Sequence, residues 1–211
     1  MRRRDFIIAL SSAAVWPLAA RAERPPFLVG MIGNAPYWRY FREAMRDLGY
    51  TEGQNVKYEL RTDETEPARV AEAAKELASI PVDVIAANGT PASQAAQAAT
   101  RTVPIVMVGV GDPVRAGLVA SLAHPGANVT GIGALGPDTA PKRLQLLKEV
   151  IPSAVRVALL FNPNNAANII FRDEIKTAAR DLGITFVQVE ASTVPDLDAN
   201  LRGLLSQRPD V

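Results

Sequence analysis

Short apolar runs alternate with amphipathic stretches along most of the chain. The runs have the β-branched, apolar character of buried strands, and they predict strands at Phe27–Gly33, Asn55–Arg61, Asp83–Asn88, Ile105–Gly109, Asn128–Gly133, Arg156–Asn162 and Ile184–Glu190. The stretches between them repeat apolar residues every three or four positions, which predicts helices at Tyr37–Leu48, Pro67–Ser79, Pro91–Thr100, Val114–Ala123, Thr139–Val150, Asn168–Leu182 and Asp196–Ser206. Strands that alternate with helices form a parallel sheet covered on both faces, so the predicted fold class is α/β.

Similar short motifs mark a helix end and a strand start in both halves of the chain. Asp47-Leu48-Gly49 closes the first helix and Asp181-Leu182-Gly183 closes a later one, and each glycine suits the left-handed position that ends a helix. Pro81-Val82-Asp83-Val84 opens the third strand, and Arg208-Pro209-Asp210-Val211 has the form of the matching opening. The repeat predicts two similar α/β lobes.

The lobes are expected at residues 23–135 and 136–211, joined near 134–142. In the first lobe we predict the strand order 2-1-3-4-5, because the first strand must be central for a crevice to open beside it. The second lobe has two strands and the first residues of a third, which leaves a strand edge and apolar faces uncovered. We therefore expect an incomplete second lobe and a truncated sequence.

The first 22 residues have the form of an export signal. Arg3 and Arg4 fit a twin-arginine pattern, and the apolar run 7–20 that follows is too short to span a bilayer and is broken by polar residues and proline. Ala20-Arg21-Ala22 has the A-x-A form of a signal-peptidase site, so we expect a periplasmic protein that begins at Glu23 and has no membrane span. Export by the twin-arginine or the general secretory route stays open.

The net charge and the counts of cysteine and histidine exclude several kinds of partner and site. The signal holds four arginines and one aspartate, so the rest has 19 basic and 21 acidic residues and a net charge of about −2. Without a basic cluster interleaved with aromatics, nucleic acid is not an expected partner. The chain has no cysteine and a single histidine, His124, in a loop-like Ala123-His124-Pro125-Gly126 context. These counts exclude disulfides, thiolate metal sites and multi-histidine zinc sites, and they exclude a Ser-His-Asp triad unless His124 is its base. We expect no catalytic residue, no metal and no cofactor.

Small polar residues and prolines follow four of the predicted strands. Parallel sheets bind ligands beyond the carboxyl ends of their strands, and several helix N-termini meeting there favour an anion such as a carboxylate. An acidic residue at the same rim can hold an amino group or hydroxyls. N-capping explains each residue singly, but their convergence predicts a ligand site formed by Asn34, Asn88, Gly89, Thr90, Gly111, Asp112, Asn162 and Asn165.

Two other features have alternative interpretations. Tyr37 and Trp38, at the start of the first helix, either stack on a ligand or pack on the domain. Gly131, Gly133 and Gly136 match G-x-G-x-x-G, but they follow the fifth strand, a proline comes next, and no suitably placed acidic residue follows. A hinge between the lobes is the favoured interpretation of these glycines, ahead of nucleotide binding.

Four longer segments carry a family resemblance, together with RRRDF and WPLAARA in the signal. They are FREAMRDLGYTEGQNVKYELR (41–61), VDVIAANGTPASQAA (82–96), GDPVRAGLVASLAHPGANVTGIGAL (111–135) and KRLQLLKEVIPSAVRVALLFNP (142–163). The chain resembles the bacterial ABC transporter substrate-binding proteins of the tryptophan/tyrosine-binding type. The resemblance implies a two-lobed type I periplasmic-binding-protein fold that closes on a small ligand and delivers it to a membrane permease.

The residues and the resemblance together predict a non-enzymatic solute receptor for ABC import, with an amino-acid-like ligand. Two alternatives stay open: a periplasmic α/β enzyme, and a sensory module that docks on a membrane receptor. The enzyme needs a base, a nucleophile or a cofactor site in the crevice. The sensory module has the same fold and site, so binding partners distinguish it.

Overall fold

The computed structural model describes residues 25–33, 35–61, 67–134 and 136–211. The predicted export signal and Asn34 lie outside these residues. Within them, strands and helices alternate as predicted: β1 (Phe27–Ile32), α1 (Ala35–Asp47), β2 (Val56–Arg61), α2 (Pro67–Ser79), β3 (Val84–Asn88), α3 (Thr90–Ala99), β4 (Ile105–Val110), β5 (Val129–Gly133), α4 (Gly136–Val150), β6 (Arg156–Phe161), α5 (Ala166–Asp181), β7 (Thr185–Glu190) and α6 (Val194–Gln207).

The first five strands form one parallel sheet in the order β2-β1-β3-β4-β5, which confirms the predicted order. Its core lies on both faces of the central strands. One face packs the apolar sides of α2 and α3, including Leu77 and Ala96, against Ile85 and Ile105. The other packs Trp38 of α1 and neighbouring side chains. Strands buried on both faces explain why the sequence reads as continuous apolar runs.

The second sheet consists of β6 and β7, which pair in parallel. Leu144 of α4 and Ile175 of α5 pack against Val157 and Ile184 in its core. The last residues lie beside the free edge of β6, where the Ala158 backbone nitrogen donates to the Val211 carbonyl oxygen at 2.8 Å. Val211 thus takes the place beside β6 that β3 takes beside β1.

The predicted repeat is confirmed at the start of each lobe. Asp83 accepts a hydrogen bond from the backbone nitrogen of Leu28 through Oδ2 at 2.7 Å, and its own nitrogen donates to the Leu28 carbonyl. Asp210 accepts from Val155 and Arg156 at 2.8 and 2.9 Å, and its nitrogen donates to the Arg156 carbonyl. In both lobes an aspartate therefore holds the first strand of the sheet to the segment that runs alongside it.

The helix predicted at Val114–Ala123 is wrong. After Asp112 the chain makes a single turn, in which the nitrogens of Leu118 and Val119 both donate to the Pro113 carbonyl. Gly117 has φ +74°, a left-handed conformation that ends any right-handed helix at that point. The apolar spacing in this segment reflects burial of Leu118 and Val119 in the core of the first lobe, not helical periodicity.

Helices α1, α4, α5 and α6 begin two or three residues before their predicted starts.

Trp38 packs in the core at 2% exposure, with its ring edge-on to Phe41. Of the two alternatives for Trp38, packing on the domain is therefore correct. Tyr37 is exposed. His124 lies in an exposed loop, as predicted.

Among the described residues, no helix has the length and apolar character to cross a bilayer. In the same part of the chain, no group of three or more His, Cys, Asp or Glu side chains has a geometry that could hold a metal ion.

Acid should weaken the second lobe partly through Asp210. Hydrogen bonds from the Val155 and Arg156 backbone nitrogens lower the pKa of this carboxyl below its ordinary value. A lowered folded-state pKa stabilises the fold above the ordinary value of 3.8, and this contribution is lost as the pH falls through the folded-state pKa. We expect Asp210→Asn to unfold less steeply with acid than the parent between about pH 5 and about pH 3.

Chemical unfolding at a series of pH values measures this effect. The control is Asp198→Asn, which removes an exposed carboxylate from α6. Identical acid dependence in the parent and in Asp210→Asn would show that the two backbone hydrogen bonds do not stabilise the lobe.

Candidate functional site

The loops that follow β3 and β4 are joined at the rim of the first sheet. Thr90, the first residue of α3, is buried, and its Oγ1 accepts a hydrogen bond from the Gly111 backbone nitrogen at 3.4 Å. The Gly89 nitrogen donates to the Val108 carbonyl at 2.8 Å. These bonds bring together two of the predicted segments, Gly89-Thr90 and Gly111-Asp112.

Gly111 is where the two lobes touch. A Cβ built on Gly111 would lie 2.7 Å from the Cβ of Ala167, a residue in the first turn of α5, so only a residue without a side chain allows this approach. Asn165 caps the same helix, with its Oδ1 accepting from the Ala167 nitrogen at 3.0 Å. The structure therefore places the start of α5 opposite the loop after β4, as expected for a crevice between the lobes.

Asp112 caps the turn that follows β4. Its Oδ1 accepts from the Arg115 backbone nitrogen at 2.9 Å, and its Oδ2 lies 3.9 Å from Arg115 Nε. The side chain is 18% exposed, so it is not sealed inside the core. Its role in the free protein is to accept a local hydrogen bond and to neutralise Arg115 in part.

Arg115 also reaches the second lobe. Its Nη1 lies 2.5 Å from Oε1 of Glu174 on α5. The two residues are 59 positions apart, and nothing in the sequence pattern links them. The prediction of site residues therefore missed this contact between the lobes.

Asn88 lines a separate small cavity of about 140 Å³ at the ends of β1, β2 and β3. Its walls include Gly33, Arg61 and Pro91. Hydrogen bonds to Glu76 and then Glu59 raise the pKa of Arg61 and keep its guanidinium paired with acidic side chains. Asn88 therefore lies on the predicted rim but not at the contact between the lobes.

Asn162 lines an open groove of about 370 Å³ on the second lobe, between the end of β6 and the start of α6. Its Oδ1 accepts from the Asn164 nitrogen at 2.8 Å, which shapes the turn that leads into α5. Asn168, Ser192 and Thr193 line the same groove. The groove and the cavity at Asn88 occupy equivalent places in the repeat, each beyond the ends of the first two strands of its lobe.

A family model described as ABC transporter substrate binding protein matches residues 38–208, which includes most of both lobes but not β1. The chain belongs to this family. Its fold is that of the type I periplasmic binding proteins, as the resemblance implied.

The chain is also similar to one curated protein and to two solved structures. A tyrosine-binding protein of Clostridioides difficile (strain R20291) is 32% identical over 168 residues, which is 79% of this chain and 48% of that protein. A conserved domain protein from Vibrio cholerae is 28% identical with a TM-score of 0.79, covering 87% of this chain and 63% of that one. An ABC domain in complex with L-Trp from Streptococcus pneumoniae is 24% identical with a TM-score of 0.76, covering 88% and 64%.

The chain spans about half the length of the tyrosine-binding protein that it matches.

The glycines of the G-x-G-x-x-G motif lie at the end of the first sheet and at the start of the helix that follows it. Gly131 and Gly133 lie in β5, and Gly136 begins α4. Gly131 crosses the Met107 backbone so closely that no side chain fits there, so the backbone contact explains this glycine without a nucleotide.

Proposed function

We propose that this chain is part of an extracytoplasmic solute receptor that binds a small amino-acid-like ligand between its lobes and delivers it to an ABC import permease. The observation that carries the proposal is the contact of Gly111 with Ala167, because it brings the carboxyl-end rims of the two lobes together. Family membership supports a binding role, and closure of two lobes over a ligand is the motion by which such receptors work.

The chemistry of the rim fits an amino acid. The N-termini of α3 and α5 both lie at the rim, and helix N-termini favour a carboxylate. Asp112 is accessible and supplies the opposite charge for an ammonium group. The names of two similar proteins, one tyrosine-binding and one in complex with L-Trp, point to aromatic amino acids as the first compounds to test.

The receptor acts without catalysis in this proposal, so the ligand leaves unchanged.

The export signal predicted at residues 1–22 should direct the protein to the periplasm, with cleavage after Ala22. Mass spectrometry of the periplasmic fraction should find an N-terminus at Glu23, and an uncleaved membrane-embedded form would contradict it. A pull-down that recovers a sensor kinase or chemoreceptor instead of a permease would favour the sensory alternative.

A thermal-shift screen of the mature protein tests ligand binding. The panel contains the twenty amino acids together with sugars and nucleosides as chemically distinct controls. A ligand that binds only the folded state raises the melting temperature, and the rise grows with the logarithm of the ratio of ligand concentration to dissociation constant. Stabilisation by one or more amino acids of similar chemistry supports the proposal. Stabilisation by sugars or nucleosides alone would contradict an amino-acid-like ligand.

Asp112→Asn should weaken binding without weakening the fold. Asparagine caps about as well as aspartate, so the hydrogen bond from the Arg115 nitrogen can persist while the negative charge is lost. If Asp112 holds the ligand's ammonium group, the loss is roughly 1.5–3 kcal/mol of binding free energy, the value of a hydrogen bond to a charged group. Calorimetry with the best amino acid from the screen measures it.

The control for this substitution is Asp47→Asn. Asp47 is exposed and ends α1 on the side of the sheet where the strands begin, away from the rim. Equal affinities for the parent and Asp112→Asn would reduce Asp112 to a cap and remove it from the ligand site.

A further inference from the structure

We propose that the ion pair between Arg115 and Glu174, here called the interlobe ion pair, holds the two lobes together and thereby tunes ligand affinity without touching the ligand. Its effect on affinity rests on the proposed function. Its effect on lobe separation rests on the contact alone.

The geometry ties the pair to the close approach of the two lobes in this structure. Arg115 belongs to the turn after β4 in the first lobe, and Glu174 belongs to α5 in the second. Their Nη1 and Oε1 atoms are 2.5 Å apart. A charge-assisted hydrogen bond of this kind is lost when its atoms separate by more than about an ångström, so an opening of the crevice larger than these side chains can follow breaks it.

Asp112 positions the arginine. It fixes the backbone of Arg115 through its Oδ1, and its Oδ2 lies on the Nε side of the guanidinium. Arg115 therefore lies between a carboxylate of its own lobe and a carboxylate of the other. It links the residue proposed to meet the ligand's ammonium group to the opposite wall of the crevice.

The pair is partly open to solvent, with side-chain exposures of 46% for Arg115 and 35% for Glu174. Ion pairs in such surroundings are modest and are screened by salt. Removing either partner should therefore reduce the ratio of closed to open protein by about 1.5- to 5-fold. By linkage, ligand affinity should fall by a factor no larger than that.

The distance between the lobes can be measured directly, because the chain has no native cysteine. Asp47→Cys and Asp181→Cys place labels at exposed, equivalent positions of the two lobes, each at the end of a helix. Pulsed electron paramagnetic resonance then gives the distribution of distances in the ligand-free protein. We expect a short-distance population that shrinks in high salt and in Arg115→Gln and Glu174→Gln.

Three further variants separate the ion pair from general structural damage. The double variant Arg115→Gln/Glu174→Gln should match each single variant, since the second substitution has no partner left to remove. Arg115→Lys retains the charge and should keep most of the short-distance population. Arg42→Gln/Glu52→Gln removes a pair of 3.6 Å within the first lobe and should leave the distances unchanged.

Distances that do not change in Glu174→Gln, or single effects that simply add in the double variant, would overturn the interlobe ion pair. Titration with each of the twenty amino acids of the thermal-shift panel is a separate measurement. If no amino acid binds while the distances still respond to the variants, the proposed function fails and the ion pair stands. If an amino acid binds and the distances ignore the variants, the ion pair fails and the function stands.

Discussion

Replacing Gly131 with alanine is expected to destabilise the first lobe by about 3 kcal/mol or more, the range associated with forced backbone strain in a packed structure. The new Cβ would overlap the carbonyl oxygen of Met107 and lie 2.7 Å from its nitrogen. Met107 is buried in β4 and pairs with Gly131 in register, so neither strand can yield without loss of their hydrogen bonds. The φ of Gly131, +139°, adds to the strain.

Urea unfolding followed by circular dichroism measures this loss. The matched control is Gly136→Ala, in the same glycine motif, because a Cβ there meets nothing within 4 Å. We expect that variant to be neutral or slightly stabilising. Equal stability of the two variants would contradict the backbone contact as the reason for the glycine at 131.

Gly111→Ala is expected to remove most of the ligand affinity while leaving each lobe folded. The added methyl group would lie 2.7 Å from the Ala167 Cβ, so the lobes must separate to accommodate it. Overpacking of a close contact costs about 1–3 kcal/mol, which corresponds to roughly 5- to 150-fold weaker binding if the closed form alone holds the ligand.

The rescue variant Gly111→Ala/Ala167→Gly tests the cause. It moves the methyl group from one lobe to the other and should recover most of the affinity, apart from a small cost of glycine in the first turn of α5. Calorimetry on the parent, the two single variants and the double variant decides the question. A double variant as weak as Gly111→Ala would show that the alanine acts on its own loop and not through contact between the lobes.

The elements of the fold were predictable because short stretches of sequence indicate where strands lie and where helices end. Buried parallel strands are continuous apolar runs, and Asp-Leu-Gly marks equivalent helix ends in both halves, where the nitrogens of Tyr50 and Ile184 donate back to Met45 and Ala179. The one false helix followed from apolar spacing that tertiary packing of Leu118 and Val119 explains, with Gly117 ending the turn.

The candidate site was predictable only in part. Asp112 and Asn165 were identified because caps have a local sequence signature, and the structure shows both as caps. Whether they also contact a ligand stays a prediction, as it does for Asn34, Asn88 and Asn162. The partners across the crevice, Ala167 and Glu174, depend on how two lobes approach each other, and no local pattern encodes that approach.

The most direct test of the receptor proposal is a crystal structure of the mature protein grown with the amino acid that stabilises it most in the thermal-shift screen. We expect an unmodified ligand between the lobes, contacted by the loops after β3 and β4 and by the start of α5, with its ammonium group at Asp112. A ligand bound outside the crevice, or one found chemically altered, would contradict it.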